Sequence, residues 1–183
     1  MTVWVYYTTM IASMAGDPAV ARQACERWAE AGLDRLHTLT DEYIRQYRCW
    51  ARALTGDDPA AAAAEAEQLL VAGLLNPPQW GIAYHYGLIA EMWLAAGRHE
   101  EATVSLKRAD QAVRDHGQRY AEGLILLLRA RLLQARGEPA AAVRASAELA
   151  RARSAQREAH LFAERATRLL ANLDRRRSVE SAS

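Results

Sequence analysis

Leu132-Leu133-Gln134-Ala135-Arg136-Gly137-Glu138-Pro139-Ala140-Ala141-Ala142 reads as one helix ending at a glycine, a tight turn and a second helix opening on small residues. The phrase returns as Met14-Ala15-Gly16-Asp17-Pro18-Ala19, as Leu54-Thr55-Gly56-Asp57-Asp58-Pro59-Ala60, and as Ala95-Ala96-Gly97-Arg98-His99-Glu100-Glu101-Ala102. Gly16, Gly56, Gly97 and Gly137 stand 40, 41 and 40 residues apart. A fixed period of that size marks stacked helical hairpins, each too small to bury its apolar face alone.

Working outward from these corners, the chain divides into hairpins over about 1–32, 36–74, 78–117 and 119–153. A capping helix follows over about 155–173, and a tail over 174–183 reads as disordered. The first segment, Val3-Trp4-Val5-Tyr6-Tyr7, has strand propensity. It nevertheless holds the place before Gly16 that helices hold before the other three glycines, so a helix is expected. Asp17 can cap the second helix, with Pro18 in its first turn. The fold expected is all-α: a right-handed superhelical array of about four antiparallel hairpins plus a C-terminal cap.

Composition narrows the classes. Hydrophobic residues make up 51% and charged residues 25% of the 183, as in ordinary globular proteins. No apolar run reaches the roughly 20 residues that span a bilayer. The N-terminal stretch lacks the basic region and cleavage site of a secretory signal, so no membrane role and a cytoplasmic location are expected. Cys25 and Cys49 have no metal spacing and do not make a disulfide scaffold. Net charge is +1, with an acidic first part and a basic last third. Arg144, Arg151, Arg153, Arg157, Arg165, Arg168 and Arg175–Arg177 could line a nucleic-acid surface. Glu148, Glu158 and Glu164 are interspersed among them, however, and favour a solvated charged face.

The hairpins resemble the tetratricopeptide repeat. That family places a small residue seven positions before the glycine and an alanine five after it. Here these are Thr9, Cys49, Ala90 and Ala130, then Ala21, Ala61, Ala102 and Ala142. The period of about 40 exceeds the family's about 34, and its large aromatic anchors match poorly. Residues 117–122, the leucine-rich stretch after them, Gly137-Glu138-Pro139-Ala140 and residues 158–166 look like the closing repeats of large bacterial signal-transduction ATPases. These include actinobacterial regulators, some carrying a LuxR-type DNA-binding domain. The resemblance implies a sensor or scaffold part of such a regulator; no phosphate-binding Gly-x-x-x-x-Gly-Lys motif occurs here.

Carried over by that resemblance, the first helix of each hairpin lines a concave groove. The inward positions are then Tyr6, Met10 and Ser13, next Tyr43, Gln46 and Trp50, next Tyr84 and Glu91, and last Arg131 and Gln134. An aromatic surface with a few polar groups suits a peptide or partner helix. The same aromatics would equally serve as core between long helices. His85, flanked by Tyr84 and Tyr86 and near Trp80, suggests a rival: a small-molecule-binding or enzymatic helical domain. The other histidines, His37, His99, His116 and His160, are solitary, with no zinc-type spacing. The expectation is a noncatalytic interaction or ligand-sensing module without metal or cofactor. Its partner is a protein or peptide, the rest of a parent regulator, or a second copy of the chain.

Overall fold

The computed structural model describes residues 2–32, 39–74 and 81–180, and among these it is all-α with no strand. In order the helices are α1 (Thr2–Ala15), α2 (Pro18–Glu30), α3 (Leu39–Leu54), α4 (Pro59–Leu69), α5 (Ile82–Ala95), α6 (His99–His116), α7 (Glu122–Ala135), α8 (Ala140–Gln156) and α9 (His160–Glu180). A π-helical turn, Leu70–Leu74, extends α4, and a 3-10 turn, Arg119–Ala121, leads into α7. No helix among the described residues is long and apolar enough to cross a membrane.

The segment with strand propensity is helical, as the spacing of the glycine corners demands. Asp17 and Asp58 cap α2 and α4 by accepting from the Val20 and Ala61 amides at 3.1 Å. Gly16, Gly56, Gly97 and Gly137 all take positive φ just past α1, α3, α5 and α7, which lets the chain leave each helix sharply. The α8–α9 corner differs. It is built on Glu158 at φ 56°, with the Ala159 amide bonded back to the Ser154 carbonyl at 2.9 Å. No glycine marks it, and because α8 runs on to Gln156, α9 begins at His160 rather than near 155. The helix runs on through 174–180, part of the segment read as a disordered tail. Arg144 pairs with Asp174 and the Ser178 hydroxyl donates to the Asp174 carbonyl.

Each odd-numbered helix packs on the even-numbered helix after it, and α1, α3, α5 and α7 also pack in succession. The even-numbered helices turn alanines inward: Ala62, Ala63 and Ala66 of α4, Ala102 and Ala109 of α6, and Ala147 and Ala150 of α8. Small side chains there let helix axes approach, while Trp28, Trp50, Tyr47 and Tyr84 fill the wider spaces. Trp50, Glu91 and Arg131 each stand six residues before a corner glycine. The Trp50 indole N–H donates to Glu91 Oε2 at 3.0 Å, and Arg131 donates to Glu91 Oε1 at 2.5 Å. The same level of α3, α5 and α7 is therefore brought side by side. The last helix packs on α8 and α7 and reaches back to α1.

Candidate functional site

The residues read as groove-lining come together, and α9 lies against them. On α1, the Ser13 hydroxyl donates to the Met10 carbonyl at 2.8 Å. Its one proton is thereby used, so in the 2.6 Å contact with Tyr84 the phenol is the donor. Phe162 of α9 rests against Tyr84, ring centroids 6.0 Å apart. Arg165 of α9 donates to the Ser13 carbonyl at 3.2 Å and to Glu91, and Arg168 donates to the Ala15 carbonyl at the end of α1. Tyr43, Trp50, Tyr84, His85 and Glu91 are buried, while Tyr6 and Met10 are half-buried. The aromatic surface is core, covered in part by the chain's own last helix. Gln46 faces elsewhere: its amide donates to the Ala66 carbonyl of α4 at 2.8 Å, tying a hairpin together.

Glu91 is the electrostatic centre. Burial by itself pushes its carboxyl up, but the guanidiniums of Arg165 and Arg131 and the Trp50 indole outweigh that and hold it below its ordinary value. Arg131 is lowered, first by burial, and also by repulsion from Arg165 and Arg168. A cleft of about 480 Å³ opens beside this cluster, where Leu94, Gln134, Arg131, Arg168 and Asn172 meet solvent. Of the polar groove candidates, Glu91, Arg131 and Gln134 line it.

His85 does not join Tyr86 in a pocket. Its ring lies 5.2 Å from Tyr43, 5.6 Å from Tyr47 and 5.7 Å from Tyr84. Burial holds it neutral, down to about 3, and its Nδ1 has no hydrogen-bond partner among the described residues. Tyr86 is half-buried on another side of α5, with the Arg108 guanidinium 6.0 Å from its ring centre. Trp80 and His37 lie outside the described residues. Cys25 and Cys49 are buried, which pushes both thiols up to about 12 and leaves them protonated at neutral pH.

Arg165 and Phe162 are the site residues that sequence reasoning missed: Arg165 is read there only as part of a basic, solvated edge, and Phe162 only as part of the capping helix. A signal exists: Arg165 is three residues after Phe162 and four before Leu169, so it interrupts the apolar stripe of α9. Comparisons with protein-family models, with curated proteins and with solved structures find no match.

Proposed function

We propose that this chain is a noncatalytic protein-interaction or ligand-sensing module: a tetratricopeptide-like superhelical array of four hairpins and a closing helix. It would act in the cytoplasm within a bacterial signalling or transcriptional regulator. The observation that carries this reading is the seating of α9. Phe162 lies on Tyr84, and Arg165 on Glu91 and the Ser13 carbonyl. A face with an aromatic floor and one buried acid accepts an amphipathic helix that offers an apolar residue and a base one turn apart. Here the chain supplies that helix itself, and a partner helix of the same pattern can compete for the seat. The resemblance of residues 10–173 to regulator repeats supports the wider role.

The rival readings have less support. His85 stays neutral in an aromatic surround, Glu91 is consumed by three donors, and both thiols are protonated, so these groups are poorly poised for acid, base or nucleophile work. In the basic last third, Arg129, Arg136, Arg144, Arg153, Arg157 and Arg165 all face carboxylates within the chain, which leaves a weak phosphate-binding surface. A photo-crosslinking amino acid at Gln134, in cells that make the protein, tests the proposal. A discrete adduct with another polypeptide, increased by Arg165→Ala, is expected. No adduct in either background, or substrate turnover that Glu91→Gln abolishes in a folded chain, contradicts it.

A further inference from the structure

One surface is unexplained by the seat of α9. On α1, Val3 is 64%, Trp4 52%, Tyr7 52% and Ile11 53% exposed. The helix carries no charged residue along its whole length. Exposed large apolar side chains elsewhere, such as Val104 and Leu149, are scattered singly, whereas these four share one face. The Arg27 guanidinium, 6.0 Å from the Trp4 ring centre, is the cation recorded against that face.

Counting back from the corner glycines shows what such a face does elsewhere in the molecule. Trp4, twelve residues before Gly16, corresponds to Ile44, His85 and Ile125. Tyr7, nine before it, corresponds to Tyr47, Leu88 and Leu128. All six are buried, and Ile44, Tyr47 and His85 each touch the preceding hairpin. Ile44 clusters with Val5, Ala24, Cys25 and Trp28 of α1 and α2, and His85 packs on Tyr43 and Tyr47 of α3. These positions are helix-packing surface in α3, α5 and α7; in α1 no described element covers them.

We infer that the α1 face is the contact through which two copies of this chain pair about a twofold axis, α1 running antiparallel to α1. Three features select a second copy. The first is continuity: the interface extends a packing surface that the molecule already uses three times. The second is charge, since α1 has no charged residue of its own and meets its own image without repulsion along the seam, with Arg27 beside Trp4 at one end. The third is spacing. Trp4, Tyr7, Ile11 and half-buried Met14 follow one another at three, four and three residues, the seam of a paired helix. Antiparallel overlap of residues 3–15, centred at the level of Thr9, sets Tyr7 of one copy beside Ile11 of the other, and Trp4 beside Met14. This pairing does not rest on the α9 reading.

A contact two heptads long lies at the small end of stable interfaces, so micromolar affinity is expected. Sedimentation of the full chain from about 1 to about 100 μM tests it. The expected result is a shift toward twice the 20.3 kDa chain mass. Trp4→Glu and Ile11→Arg each weaken pairing by about tenfold or more with helicity unchanged, whereas Leu149→Glu has no effect. Combining Tyr7→Glu with Ile11→Arg sets acid beside base across the twofold and restores the dimer. A monomer at the highest concentration overturns the inference. A dimer that survives both Trp4→Glu and Ile11→Arg overturns it by moving the contact elsewhere.

Discussion

Arg165 of α9 and Glu91 of α5, 74 residues apart in sequence, form an ion pair with side chains only 2% and 3% exposed. Two charges withdrawn from water are costly, and their attraction offsets that cost only when the remaining polar atoms are satisfied. Glu91 meets the condition through Trp50 and Arg131, and Arg165 meets part of it through the Ser13 carbonyl. The pair therefore acts as a register pin. It tells α9 where to lie across helices that would otherwise offer a smooth aromatic face.

Removing the pin should loosen one helix more than the rest. Arg165→Ala leaves Glu91 buried with one guanidinium fewer and is expected to cost about 3 kcal/mol. Hydrogen exchange followed along the chain should quicken first in α9 and hardly in α4. Uniform acceleration everywhere would mean that α9 is not separately docked.

The Tyr84 phenol donates to Ser13 at 2.6 Å, and burial holds that phenol well above its ordinary range. Tyr84→Phe keeps the ring against Phe162 and removes only the hydroxyl. Ser13 retains its bond to the Met10 carbonyl, so the expected loss is about 1 kcal/mol in urea unfolding, with no change in slope.

His85 makes stability depend on pH in a calculable direction. Its folded value lies at about 3 because burial disfavours the cation, while the unfolded chain titrates near 6.5. The contribution is complete above the unfolded value and declines as pH falls from there toward the folded one. Between about pH 7 and pH 5, wild type should lose about 2 kcal/mol more than His85→Phe. Parallel curves for the two proteins would show that His85 is solvated.

Two corner glycines should respond unequally to the same change. Both Gly16 (φ 74°) and Gly97 (φ 69°) are left-handed, so alanine strains the backbone at each by about 1 kcal/mol. At Gly97 the new methyl meets open space, whereas at Gly16 it would sit 2.9 Å from Arg165 Nε. Gly16→Ala should therefore lower the melting temperature further than Gly97→Ala, and the gap should close in an Arg165→Ala background.

The helices and their corners were legible because their causes are local. Glycine at positive φ and aspartate caps act within one turn of chain, as Gly16, Asp17 and Asp58 do here. The α8–α9 corner was not, because Glu158 takes a left-handed conformation that glycine usually marks. Whether Tyr84 and Trp50 face solvent or core was also beyond periodicity. That depends on where α9 returns, and the return is set by Arg165 meeting Glu91 far away in sequence. Periodicity likewise could not show that Gln46 turns to a carbonyl of α4, 20 residues on in its own hairpin, rather than to a ligand.

The docking of α9 on α5 through one buried pair is the centre of this account, and a double-mutant cycle on Glu91→Gln and Arg165→Met measures it most directly. Unfolding free energies of the four proteins should yield a coupling of about 2 kcal/mol, with the double variant more stable than Arg165→Met alone. Effects that add to within about 0.5 kcal/mol would mean the two side chains do not meet in solution, and the seat of α9 would have to be drawn elsewhere.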